Sequence, residues 1–261
     1  MAQIGMLKYL GEQGVRPDVI SGASGGAIVG ALYAAGYSPD DILSFFTDNQ
    51  MFKFDHLSFN KLGLINSERL RRNFRYWIKE DDFSSLEIPL FVSTTDLNTG
   101  KAEVFNSGSL VSSLLASSAY PGVMTPVSIG GRLFADGGIT NNYPTDVIHE
   151  KCRWNLGMYL GPVKYKGIPS FKDAFDVLER VFEIYSSAHL LKSMKLADIS
   201  LSPRGIDKWG AFNVDNDSLY RLYDMGYEVT RDYFNNEEGE KWLKKFNDSF
   251  DLKGVISSFI G

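Results

Sequence analysis

Apolar positions at Ile4, Leu7 and Leu10 recur at helical spacing and then meet Gly11 and Gly14, which predicts a short N-terminal helix stopped by glycine. Residues 17–21 read as a strand, and the run from Val19 to Leu32 passes from apolar strand through a glycine turn into a helix of small residues. Ser38-Pro39-Asp40-Asp41 predicts an N-cap with proline just inside a helix reaching Phe46, and Asn66-Ser67-Glu68 opens a basic helix reaching Trp77. Residues 89–95 form a candidate buried strand, 98–101 a turn and 102–105 a returning strand. Later strands over 154–160 and 199–201 flank a long helix over 171–196. This alternation predicts an α/β fold with a mainly parallel central sheet covered by helices.

The 261 residues are 44% hydrophobic and 13% aromatic, enough for one large core. With no repeat and no Pro/Ser-rich linker, a single domain over 1–261 is expected. A net charge of -5 excludes the clustered cationic surface that a phosphate backbone demands, so nucleic acid is not an expected partner. Cys152 is the one cysteine, which rules out an internal disulfide and a cysteine zinc site and suits a reducing cytoplasm. No run approaches the roughly 20 apolar residues of a membrane span, and the N-terminus lacks the basic-then-apolar order of a signal peptide. A cytoplasmic chain that meets membranes only from the surface is the expectation.

Ser24 changes the picture from fold to chemistry. It stands at the tip of Gly22-Ala23-Ser24-Gly25-Gly26, between strand and helix, where glycine removes the Cβ atoms that would clash in a nucleophile elbow. A serine hydroxyl is a weak nucleophile and needs a base. His56 lies in an aromatic loop, and His149 falls near the end of a short helix, where capping explains it. Ser24, Asp136 and His189 fit the chain order of a hydrolase triad, yet His189 shares a helical stripe with Phe175, Leu178, Phe182 and Tyr185, as a packed core residue does. Asp136 closes the apolar segment 132–135 and is followed by Gly137-Gly138, which sets its carboxylate at a strand end before a tight turn.

Three ordered segments carry a more specific signal: Gly22-Ala23-Ser24-Gly25-Gly26, then Ala116-Ser117-Ser118-Ala119-Tyr120-Pro121-Gly122-Val123-Met124-Thr125-Pro126-Val127, then Asp136-Gly137-Gly138-Ile139-Thr140-Asn141-Asn142-Tyr143-Pro144. Together they resemble the patatin-like phospholipase family, as does Thr95-Asp96-Leu97-Asn98-Thr99-Gly100; the likeness runs from residue 2 to about 160 and thins over 161–261. The resemblance implies a three-layer α/β/α domain and a Ser-Asp dyad with no catalytic histidine. Carried onto this chain, Ser24 is the nucleophile and Asp136 the general base, supported by Gly22, Gly26, Gly137 and Gly138, with the Gly25 N–H as one oxyanion donor. It further implies hydrolysis of phospholipid or other fatty acyl esters through an acyl-enzyme, without metal or organic cofactor, and admits peripheral membrane contact.

The family's glycine-rich oxyanion loop and the strand before it have no counterpart here, because Met1-Ala2-Gln3-Ile4-Gly5 resembles the segment that follows that loop. Two expectations follow: a start codon set at an internal methionine, or a silent lipid- or protein-binding relative. A Ser-His-Asp esterase for small esters is the remaining alternative. Other features have plainer readings. The aromatic loop 51–59 and the tail from Trp242 to Phe259 are expected to pack on the core, Arg69, Arg71, Arg72 and Arg75 to form a solvated helix face, and Asp96 to serve a turn.

Overall fold

A computed structural model describes residues 1–48, 67–161, 163–188, 190–206, 209 and 215–246. The chain order is α1 (Ala2–Glu12), β1 (Ile20–Ala23), α2 (Gly25–Ala34), α3 (Pro39–Asp48), α4 (Ser67–Trp77), β2 (Leu90–Asp96), β3 (Lys101–Phe105), α5 (Leu110–Ser117), β4 (Val127–Ile129) and β5 (Arg132–Asp136). It continues through α6 (Gly138–Asn141), α7 (Thr145–Ile148), β6 (Leu156–Met158), α8 (Ala174–Ala188), α9 (Leu190–Met194), β7 (Ile199–Leu201) and α10 (Asn216–Phe234).

Local signals are obeyed closely near the N-terminus. The Ser38 hydroxyl accepts the Asp41 N–H at 3.1 Å while an Asp41 carboxylate oxygen accepts the Ser38 N–H at 3.1 Å, a reciprocal cap that starts α3 where the sequence places it. Gly11 does not end α1, which runs on to Glu12; the reversal falls at Gly14, whose φ of 73° is left-handed. The expected strand at 17–21 starts later, at Ile20, and runs to the serine turn. The expected helix over 171–196 is recorded as α8 and α9, on either side of residue 189.

The α/β fold holds, while its main sheet is mixed where mainly parallel pairing is expected. Its order is β1-β2-β5-β4, with β3 on the other edge of β2. Only β1–β2 is parallel; β2–β3, β2–β5 and β4–β5 are antiparallel. The reason lies in the connections: the short turn at 97–100 can only return β3 antiparallel, and a two-residue turn at Gly130-Gly131 does the same for β4 and β5. A second, two-stranded parallel sheet joins β6 to β7.

The larger core fills the space between α2, α3, α4, α5 and the main sheet, with Phe45, Phe74, Leu114 and Phe134 fully buried. A smaller core joins α1, α10, β6 and β7 around Tyr9, Phe234 and Met158. α1 and α10 approach so closely that a Cβ on Gly5 would strike the Tyr223 carbonyl, and one on Gly226 the Ala2 carbonyl. Trp242 and Phe246 pack on this second core, as expected for the tail, whose residues from 247 on lie outside the described set. Arg72 and Arg75 are exposed on α4 opposite buried Phe74; the Arg69 side chain and the loop 51–59 also lie outside it. Asp96 is buried and accepts the Asn98 N–H at 2.8 Å and Arg132 Nη1 at 3.0 Å, so it locks the 96–100 turn. Among the described residues, no helix is long and apolar enough to cross a membrane.

Candidate active site

The register of β2 brings the site together. β3 occupies residues 92–96 on one edge of β2, so β1, paired with residues 90–93, and β5, paired with 94–96, must share the other edge in succession. β1 runs with β2 and β5 runs against it, so their C-terminal ends meet head to head. Ala23 ends opposite Ser93 and Asp136 opposite Thr94, which puts the next residue after β1, Ser24, beside Asp136.

Ser24 has φ 51° and ψ -126°, and among the described residues it is the only non-glycine with positive φ. Such backbone costs of order 1–3 kcal/mol and persists only where neighbours enforce it. Here the Ser24 N–H donates to Ser117 Oγ at 2.8 Å, and Ser117 Oγ donates in turn to the Ser93 carbonyl at 2.7 Å. On the other side, the Ser24 carbonyl accepts the Ala27 and Ile28 N–H groups that begin α2. Gly22 makes the sharp strand-to-helix passage possible: a Cβ there would lie 2.7 Å from Ala27 N and from the Gly26 carbonyl.

Ser24 Oγ donates to Asp136 Oδ2 at 2.7 Å, and Asp136 Oδ1 accepts the Gly138 N–H at 2.7 Å. The Asp136 backbone is fixed on three sides, by Ala119 O at 3.0 Å, by the Thr95 hydroxyl on its own carbonyl at 2.8 Å, and through Gly137 N–H to Ser117 O at 3.2 Å. Gly137 is required because a Cβ would collide with the Ser93 carbonyl. At 1% exposure the Asp136 carboxylate is out of water, and burial pushes its pKa from the ordinary 3.8 to about 6, the hydrogen bonds from Ser24 and Gly138 limiting the rise.

The chemistry open to this arrangement is proton transfer from a hydroxyl to a carboxylate poised near neutrality, beside a helix start. Gly25 and Gly26 are the first residues of α2, whose opening N–H groups lack intrahelical acceptors and carry the positive end of the helix dipole. A Cβ on Gly25 would meet nothing within 4 Å, so the space beside its Cα is open.

The seven residues that the family resemblance points to, Gly22, Ser24, Gly25, Gly26, Asp136, Gly137 and Gly138, lie at one junction. His149 does not: its Nδ1 lies 3.0 Å from the Leu196 carbonyl, tying α7 to the segment after α9. His56 and His189 lie outside the described residues. The role of Ser117 is missed by the sequence reading. It stands within a recognised motif, but only the structure shows its hydroxyl spanning Ser24 and Ser93.

A serine on a strained strand-to-helix turn, hydrogen-bonded to a carboxylate in an α/β fold, defines the class of serine-elbow proteins. The chain belongs to the patatin-like phospholipase family, whose model matches residues 1–149. It is 34% identical over 146 residues to an uncharacterized NTE family protein of Mycobacterium tuberculosis, covering 55% of this chain and 40% of that protein. It is 28% identical over 291 aligned positions to the neuropathy target esterase sws of Drosophila melanogaster, covering 96% of this chain and 20% of that one. Among solved structures, VipD from Legionella pneumophila shares the fold, with a TM-score of 0.55 at 14% identity over 88% of this chain and 64% of that one. The chain thus spans well under two thirds of the curated relatives named here. Family membership supports a lipid ester hydrolase at family level.

Proposed function

We propose that the chain hydrolyses fatty acyl esters, phospholipids among them, through a Ser24–Asp136 dyad and an acyl-enzyme. The single observation that carries this reading is the 2.7 Å hydrogen bond from Ser24 Oγ to a buried carboxylate whose pKa is raised to about 6. Asp136 takes the hydroxyl proton as Ser24 Oγ bonds to the ester carbonyl carbon, and the carbonyl electrons move onto its oxygen. That oxygen faces the Gly25 N–H and the start of α2. Collapse of the adduct expels the alkoxide, which recovers the proton from Asp136, and leaves Ser24 acylated. Asp136 then takes a proton from water, the hydroxide attacks the acyl carbon, and Ser24 Oγ leaves with that proton as the fatty acid departs.

The direct contact also favours the dyad over a triad. An imidazole relay must sit between hydroxyl and carboxylate, and here the two oxygens touch. Labelling with a fluorophosphonate probe tests the reading. The parent chain is expected to label and Ser24→Ala not to, with Asp136→Asn labelling far more slowly. A parent chain that neither labels nor hydrolyses any ester would leave the silent binding module as the better account.

A further inference from the structure

Helix α1 leads away from one end of the main sheet, the loop through Gly14 reverses the chain, β1 leads back to Ser24, and α2 leads away again. The first turns of α1 and α2 therefore lie together at the serine end. Gln3 stands in that first turn of α1, and its Nε2 lies 3.8 Å from the position that a Cβ on Gly26 would take. A Cα–Cβ bond tilts toward the N-terminus of its helix, so on Gly26 this direction leans toward the serine turn. Apart from chain neighbours and the backbone of α2 itself, Gln3 Nε2 is the only heavy atom among the described residues within 4 Å of the Cβ position of either Gly25 or Gly26.

The backbone that carries Gln3 is held from two directions. Ala2 and Gly5 sit against α10, where a Cβ on Gly226 or on Gly5 would strike the opposing carbonyl, and Ile4 is fully buried in the larger core. The Gln3 side chain itself is half-buried, and its carboxamide bonds to no described residue. On a plain helix surface a glutamine needs no partner; beside a nucleophile it brings two N–H donors and no charge.

We propose that Gln3 is a further catalytic residue, whose side-chain N–H donates to the substrate's carbonyl oxygen alongside the Gly25 N–H as charge develops there. The inference rests on reading the Ser24–Asp136 site as an ester hydrolase. As Ser24 Oγ bonds to the carbonyl carbon, the carbonyl electron pair moves onto oxygen, and Gln3 holds that charge by a hydrogen bond without giving up its proton. When the adduct collapses, the pair returns to re-form the C=O bond, the alkoxide leaves, and Gln3 is unchanged. A neutral amide does this without drawing down the proton affinity of Asp136, as an ammonium or guanidinium so close to the site would.

The test is steady-state hydrolysis of a water-soluble short-chain ester by the parent and by Gln3→Met, which keeps the length and bulk of the side chain and removes both N–H donors. Loss of one oxyanion donor is expected to lower kcat by about 10²-fold or more while KM holds within about twofold. A short-chain trifluoromethyl ketone, which Ser24 captures as an oxyanion, is expected to bind the variant more weakly by the same factor as the loss in kcat/KM. The melting curve is expected not to move, since the side chain is partly exposed and bonds to no described neighbour. Gln3→Ala, with the best helix former at that position, repeats the readout if the Met variant proves less stable. Hydrolysis by both variants at the parent's rate overturns the proposal. So does a rise in KM at unchanged kcat, which makes Gln3 a contact to the bound ester only. Ser24-dependent hydrolysis that ignores Gln3 removes this inference and leaves the dyad standing, whereas a parent that neither hydrolyses ester nor labels with a fluorophosphonate sinks the dyad and Gln3's role with it.

Discussion

At the junction of β1, β2 and β5, the polar side chains of Thr95, Ser117 and Asp136 are buried and each is hydrogen-bonded to a neighbour. About one helix diameter away, on the outer side of α8, Val181 and Ile184 stand in solvent. The two regions invert the usual rule of polar outside and apolar inside. In the first, these three side chains are held by fixed partners, so their geometry is set before any substrate arrives and substitution leaves something buried and unpaired. In the second, the side chains stand about half in solvent, so their removal costs little in stability.

The comparison is sharpened most by the variants at its chemical end. Asp136→Asn keeps the shape and one acceptor for the Gly138 N–H but no longer takes the Ser24 proton; ester hydrolysis is expected to fall by about 10³-fold or more. Next, Gly137→Ala drives a Cβ into the Ser93 carbonyl, where neither backbone can yield, and a loss of about 3 kcal/mol is expected in urea unfolding. Ser117→Ala then deprives the Ser24 amide and the Ser93 carbonyl of their partner at once, for a loss of about 1–3 kcal/mol. Because it frees the strained elbow, kcat is expected to drop while KM for a soluble ester holds.

The pH dependence follows from the raised carboxyl. Its folded value near 6 lies above the ordinary 3.8, so the folded state retains a proton that the unfolded chain releases between these values, and the contribution to stability falls as pH rises from about 4 to 6. From about pH 7 upward the buried carboxylate is almost wholly charged. Asp136→Asn escapes that cost and is expected to melt higher than the parent at pH 8, by about 3 kcal/mol that vanishes near pH 4, while parent activity climbs through pH 6 as the base ionises. The smallest effect belongs to the other region. Val181→Ser and Ile184→Ser are expected to change unfolding by less than about 0.5 kcal/mol, and a larger loss would mean that α8 is covered rather than open.

Legibility of the chain varied for physical reasons. The α3 cap and the serine turn were readable because Ser38 with Asp41, and Gly22 with Ser24, act within four residues. α10 was not singled out: its Asp, Arg and Tyr side chains mask the few positions, Leu219, Gly226, Thr230 and Phe234, that are buried. The mixed pairing of the sheet was equally hidden, since an apolar run such as Leu133-Phe134-Ala135 does not state which way it will run beside β2. Among the site residues, Gly22 and Gly137 could be suspected from glycine alone, whereas nothing local marks Ser117 as the acceptor for an amide 93 positions away.

By itself the sequence determined that Ser24 would sit on a strained turn between strand and helix, that Asp136 would close a strand before two glycines, and which family these segments resemble. The tertiary structure alone decided that the two meet at 2.7 Å across 112 residues, that the carboxylate is dry enough to titrate near 6, and that α8 turns apolar side chains outward beside them. Turn chemistry and periodicity act over a few neighbouring residues; distance, burial and the resulting proton affinity depend on how β1 and β5 divide one edge of β2, and strand register is a property of the whole fold.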